Sequence, residues 1–119
     1  MHGWARCEAL AVAIVVLLGA GFLLPAMAAE KDLADKGEVL VRENCSRCHA
    51  IGLTGDSPNS AAPPFRTLSS KYPIENLAEA LAEGIVSGHP DMPIFVFSPH
   101  AVDAIVAYLK SIQVDAPAN

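Results

Sequence analysis

The sequence predicts an all-α protein in which three main helices are joined by long loops. Apolar residues recur at helical spacing in three separate segments after residue 30. No Val- and Ile-rich run of the kind that forms strands is found in the same part of the chain. Glycine and proline separate the three segments, so the connections between them are predicted to be irregular.

The first thirty residues are predicted to be a secretory leader. Residues 9–29 carry no charged side chain, and Arg6 precedes them. Pro25 and the small-residue pattern Ala26-Met27-Ala28 follow the apolar centre, which is the layout of a signal peptide and its cleavage site. We expect residues 1–28 to be removed near Ala28.

What remains, residues 29–119, is predicted to be one exported domain in the periplasm. An uncleaved leader is the alternative, because about twenty apolar residues can cross a bilayer. In that case the same domain would stay anchored to the membrane through the leader.

The net charge of the chain indicates which classes of partner are expected. The chain carries a formal charge of −5, and removal of Arg6 and Glu8 with the leader does not change it. A nucleic-acid-binding domain needs a basic face, so nucleic acid is not expected as a partner. Of the three cysteines, Cys7 lies in the leader. The other two belong to one motif, so we expect no structural disulfide.

The motif is Cys45-Ser46-Arg47-Cys48-His49, the C-x-x-C-H spacing of covalent c-type haem attachment. Each thiol can add to one vinyl group of a porphyrin, and His49 then lies under the iron as an axial ligand. A redox disulfide would need a βαβ pattern nearby. A zinc site would need further thiolates or a closely spaced histidine pair. Neither is found, so the predicted cofactor is one covalent haem c with its iron.

The three helices are predicted over residues 31–44, residues 74–86 and from Ser98 to about Gln113. Ser98 followed by Pro99 is an N-cap with proline at the first helical position. Gly37 falls on the apolar stripe of the first helix. In the interior of a helix, glycine lowers the stability by about 1 kcal/mol relative to alanine. We therefore expect another helix to cross very close to Gly37.

The loops are predicted to hold the rest of the site. Residues 50–70 form a long loop, which we expect to wrap one edge of the haem. Beyond the leader, Met92 is the only methionine, and it lies in a proline-kinked loop rather than on an apolar stripe. Thioether sulfur is a known haem ligand, so Met92 is predicted to be the second axial ligand. His89 is the rival ligand, and His100 is expected to be solvated.

These features resemble class I c-type cytochromes, in particular small bacterial monohaem carriers, over residues 33–112. The similarity lies in the spacing of Gly37, Val41 and Cys45, in the loop from Met92 to Phe95, and in the last helix. It implies a cytochrome c-like fold around one haem, with Gly37 and Val41 crossing against Ile105 and Tyr108.

The resemblance also implies roles for loop residues. The carbonyl of Pro63, or failing that Pro64, would accept a hydrogen bond from the second ring nitrogen of His49. Phe65 and Leu68 would pack against the haem. The indole that holds a haem propionate in some members is missing, since Trp4 lies in the leader. The candidates to replace it are Arg66, Lys71 and Tyr72.

The function implied by this resemblance is one-electron transfer by a monomeric protein that is not itself an enzyme. A redox donor and a redox acceptor would bind it transiently. One alternative is a haem c subunit or dedicated partner of a larger dehydrogenase or oxidase. Another is an open-site sensor or peroxidase-like protein, which requires that Met92 does not bind the iron.

Overall fold

The computed structural model describes residues 23–84 and 91–114. The chain divides into two units, Met1–Lys31 and Asp32–Asn119, and the second unit contains the motif and the loops. Helices are the regular elements of the described ranges, and no strand is found in them, which confirms the all-α prediction. No helix within these ranges is both long enough and apolar enough to cross a bilayer. The predicted leader lies largely outside them.

Helix α1 spans Leu23–Cys45. It begins earlier than the predicted start at residue 31 and includes Ala28, the predicted cleavage position. On the part of α1 within the second unit, Val41 is completely buried. Exposed pairs one turn apart, Lys36 with Asp32 and Arg42 with Glu38, lie on the solvated face. Pairs of this kind add only a few tenths of a kcal/mol each.

The predicted loop over residues 50–70 is not wholly irregular, because it ends in a 3-10 helix over Phe65–Ser70. Pro64 precedes this helix in extended conformation, and its carbonyl accepts bonds from both the amide and the hydroxyl of Thr67. These bonds close the first turn. Leu68, which is 4% exposed, fixes the turn to the core.

The predicted second helix is shorter and less regular than expected. A 3-10 turn over Ile74–Asn76 leads into α2, which spans Leu77–Glu83. Gly84 ends α2 with a φ of 91°, a conformation that residues with a side chain rarely adopt. The predicted continuation to residue 86 lies outside the described residues.

Helix α3 spans Pro99–Ser111. The Ser98 hydroxyl accepts a hydrogen bond from the amide of Ala101 at 3.4 Å, so Ser98 caps the helix as predicted. The helix ends two residues before the predicted end at Gln113. Its buried face supplies much of the core, namely Val102, Ala104, Ile105, Tyr108 and Leu109.

Gly37 lies directly against α3. A β-carbon built on Gly37 would be 2.5 Å from the carbonyl carbon of Ala104 and 2.8 Å from Cβ of Tyr108. Only a residue without a side chain therefore permits this approach. The partners differ slightly from the expectation, since Ala104 rather than Ile105 lies under Gly37. Val41, Ile105 and Tyr108 belong to one buried cluster.

Gln113 joins the end of α3 to the 3-10 helix. Its Oε1 accepts a bond from the amide of Ser69 at 2.9 Å. Its Nε2 donates to the carbonyls of Phe65 at 3.0 Å and Leu109 at 2.5 Å. The Gln113 side chain thus bonds to the backbone near both ends of the 3-10 helix, the element that carries Phe65 and Leu68.

Candidate functional site

The C-x-x-C-H residues begin where α1 ends. The carbonyl of Cys45, the last residue of α1, accepts bonds from the amides of Cys48 at 3.1 Å and His49 at 3.0 Å. The chain therefore makes one further turn before it leaves the helix. That turn brings both thiols and the imidazole to the wall of one cavity.

The orientation of the His49 ring is set by a backbone carbonyl. Nδ1 of His49 lies 2.8 Å from the carbonyl oxygen of Pro63. Because a carbonyl only accepts, Nδ1 carries the proton, which leaves the lone pair of Nε2 free to bind a metal. Pro64, the alternative acceptor, uses its carbonyl within the 3-10 helix instead.

Backbone bonds hold the loop against the motif. The backbone amide of Asn59 donates to the carbonyl of Cys48 at 3.1 Å. The backbone amide of Phe65 donates to the carbonyl of Ala50 at 2.9 Å. The hydroxyl of Ser57 accepts from the amide of Ala50 at 3.0 Å. The loop therefore folds back on the residues that follow the haem motif.

Phe65 and Leu68 reach the site from the 3-10 helix. The Phe65 ring lies 4.5 Å from the His49 ring, centroid to centroid, so it limits rotation of the imidazole. Leu68 lines the deeper part of the site. The structure thus brings Pro63, Phe65 and Leu68 together with His49.

Met92 lies far from the motif in sequence, in a bend that is followed by residues 93–98 without regular secondary structure. It is half-buried, and it lines the same space as His49. The amide of Phe97 donates to the carbonyl of Leu81 at 2.9 Å, which ties this segment to α2. His89, the rival ligand, lies outside the described residues. His100 is exposed on α3.

Two cavities adjoin these residues. The larger, of about 420 Å³, is lined by both cysteines, and the smaller, of about 110 Å³, reaches the buried core at Val41 and Ile105. They share five lining residues, namely Cys45, His49, Phe65, Met92 and Phe95. One flat group could therefore extend across both cavities.

The residues present fit a covalently attached haem. The Cys45 thiol, an imidazole with a free ring nitrogen and a thioether line the smaller cavity, whose remaining walls are aliphatic and aromatic. The second thiol, that of Cys48, lines the larger cavity, which also carries polar side chains. Burial raises the pKa of the Cys45 thiol to about 11. An unmodified thiol there would be neutral at pH 7, and a thioether removes the titrating proton altogether. Cys45 and Cys48 would tether the ring, and His49 and Met92 would bind the iron.

Sequence reasoning missed several contacts that hold the site in shape. Asn59 bonds to the backbone of the motif and Ser57 to the backbone of Ala50, the next residue. The Tyr108 hydroxyl donates to the carbonyl of Ile51 at 2.9 Å. Phe95 stacks with Phe97, with ring centroids 5.8 Å apart. The position of Ser57, Asn59 and Phe97 in loops around a predicted haem could have drawn attention to them. Tyr108 and Phe95 were named by the resemblance, but these contacts of theirs depend on tertiary structure.

Comparison with known families agrees with this geometry. The family model described as cytochrome c oxidase, cbb3-type, subunit III matches residues 32–109. No curated protein and no solved structure matched the chain significantly. The matched range covers the haem motif, the loop, α2 and all but the last two residues of α3. The chain therefore belongs to this family: it is a c-type cytochrome with a cytochrome c-like fold and covalently bound haem c.

Proposed function

We propose that this protein is a small class I monohaem cytochrome that carries single electrons, with its iron bound by His49 and Met92. The observation that supports this most strongly is the set of residues shared by the two cavities. The imidazole and the thioether both belong to that set. With both axial positions occupied, the iron would have no open site for a substrate or for oxygen.

The chain would support electron transfer by holding its ligands still. The bound haem supplies a one-electron couple between ferric and ferrous iron. The carbonyl of Pro63 and the ring of Phe65 fix the imidazole, and bonding of this kind raises the basicity of the ligand. Bound to the iron, the thioether of Met92 would raise the reduction potential of the haem. The aliphatic and aromatic walls of the smaller cavity would keep water away from the haem, and this would keep the reorganisation energy of electron transfer small.

The expected setting is the periplasm, where the domain would act as a monomer. Its donor and acceptor would bind through small, short-lived interfaces. A charge of −5 favours partners whose contact surface is neutral or basic. If the leader is retained, the same carrier would work at the membrane surface.

A second candidate function is a haem c subunit or dedicated partner of a terminal oxidase. The description of the matching family, which names an oxidase subunit, favours this candidate. The haem chemistry would be the same in both cases. They differ in whether the protein remains bound to a large enzyme.

Two measurements on the native holoprotein test the proposal. Carbon monoxide added to the reduced protein at neutral pH should leave its visible spectrum unchanged. Size-exclusion chromatography of a gently solubilised extract should recover the haem-stained chain at monomer size. Binding of carbon monoxide would favour the open-site alternative. Elution with a large enzyme would favour the subunit.

A further inference from the structure

The His49 ring is oriented by two residues that lie close together in the loop. Its Nδ1 is 2.8 Å from the carbonyl oxygen of Pro63. Its ring packs against the Phe65 ring at a centroid distance of 4.5 Å and a tilt of 32°. Both contacts depend on where the chain places residues 63–65, so a displacement of this stretch would turn the imidazole.

Local bonds alone hold this stretch weakly. Phe65 is the first residue of the six-residue 3-10 helix, whose first turn has no side-chain cap. The hydrogen bonds of a 3-10 helix have poor geometry, and such helices stay short for that reason. Contacts from outside the helix are therefore needed to fix its position. The bond from the amide of Phe65 to the carbonyl of Ala50 is one such contact.

The residues that follow α3 supply further contacts of this kind. Nε2 of Gln113 donates to the carbonyl of Phe65 at 3.0 Å, and its Oε1 accepts from the amide of Ser69 at 2.9 Å. The amide of the next residue, Val114, donates to the carbonyl of Arg66 at 3.0 Å. These bonds meet the 3-10 helix near its start and near its end, so they fix it against the end of α3 at two points.

Gln113 is itself anchored to α3. Its Nε2 also donates to the carbonyl of Leu109, one turn earlier in the chain, at 2.5 Å, and Leu109 is buried. The backbone amide of Ser69 can only donate and the two carbonyls can only accept, so the places of oxygen and nitrogen in the Gln113 side chain are determined. A carboxamide offers one acceptor atom and two N–H donors, which is the set that these three partners require.

We propose that Gln113 is a positioning residue for the axial histidine. By holding the carbonyl of Phe65, it sets the rotation of the His49 ring about the bond from the ring to the haem iron. The inference deepens the proposed function and rests on its assignment of His49 to the iron. It does not depend on whether the protein is a free carrier or an oxidase subunit.

The test is proton NMR of the full ferric holoprotein. The hyperfine shifts of the haem methyl groups and of the His49 ring protons depend on the orientation of the imidazole plane over the haem. In Gln113→Ala these resonances should shift, because the carbonyl of Phe65 loses its donor. The charge-transfer band of sulfur ligation should remain, which shows that Met92 is still bound.

Gln113→Glu separates the two bonds to the 3-10 helix. Glutamate has nearly the same size and keeps an acceptor for the amide of Ser69, but its carboxylate has no proton to donate to the carbonyl of Phe65. This variant should shift the same resonances in the same direction as Gln113→Ala. Resonances that stay at the parent positions in Gln113→Glu would overturn the proposal, because the bond to Phe65 would then have no effect on the ring.

Ser111→Ala is the matched control. The Ser111 hydroxyl donates to the carbonyl of Tyr108 at 2.7 Å, so the variant loses a side-chain bond within α3, at the same end of the helix. Its hyperfine shifts should equal those of the parent. Equal changes in Ser111→Ala and Gln113→Ala would contradict the proposal, because a general loosening of the end of α3 would then be the cause.

Thermal unfolding and the parent spectrum separate the ways in which the account can fail. A parent protein without covalent haem, or without the charge-transfer band, would contradict the proposed function. If the parent has both, and Gln113→Ala lowers the melting temperature without moving the hyperfine resonances, then Gln113 only stabilises the fold. In that case the inference about Gln113 alone is wrong.

Discussion

Replacing Met92 with alanine is expected to abolish the charge-transfer band that sulfur ligation gives to ferric haem. The potential should fall by on the order of 0.1–0.3 V, since axial ligands set haem potentials over a range of about 0.8 V. Loss of the thioether would also open one face of the iron, so the reduced variant should bind carbon monoxide. Visible spectra and a redox titration of the holoprotein measure all three effects.

Two histidine variants serve as controls for the Met92 prediction. His89→Ala and His100→Ala should keep the charge-transfer band and the potential of the parent protein. The ligand assignment is wrong if His89→Ala removes the band and Met92→Ala keeps it. His100 is exposed on α3, so a change in that variant alone would indicate an effect of surface charge.

Replacing Gly37 with valine should strongly destabilise the fold. The new Cβ would meet the carbonyl group of Ala104 and Cβ of Tyr108 well inside van der Waals contact. Because backbone atoms are involved, α1 and α3 must move apart. Overpacking usually costs 1–3 kcal/mol, and we expect about 3 kcal/mol or more here. In a domain of this size the melting temperature falls by about 4–8 °C for each kcal/mol.

Gly52→Ala is the matched control for Gly37→Val. A Cβ at Gly52 meets nothing within 4 Å, so the melting temperature should stay within a few degrees of the parent value. Thermal unfolding followed by circular dichroism compares the two variants. A melting temperature for Gly37→Val that equals that of Gly52→Ala would contradict the close crossing of the helices.

Features that depend on neighbouring residues could be predicted from the sequence. Ser98 and Pro99 start α3 as expected, because capping is a local interaction. Gly37, on the apolar stripe of the first helix, indicated a close crossing. Glycine destabilises a helix relative to alanine, so its presence on a buried face suggests that a neighbouring helix requires the space. The C-x-x-C-H motif indicated the cofactor because it combines the tether and one ligand in five residues.

Features that depend on distant contacts could not be predicted. The 3-10 helix over Phe65–Ser70 is held by Gln113, which is far away in sequence. The close approach of Ile94 to Gly84, where an added Cβ would lie 2.9 Å from the Ile94 side chain, is also a contact between separate segments. No periodicity shows such contacts. The preference for Pro63 over Pro64 came from the family resemblance, and the contact of His49 with the Pro63 carbonyl agrees with it.

The measurement that tests the central claim most directly is the intact mass of the purified, fully matured protein under denaturing conditions. The account predicts one species that carries a single haem through Cys45 and Cys48, and whose pigment stays with the polypeptide in acidified organic solvent. A colourless polypeptide, or pigment that is extracted into the solvent, would contradict the account.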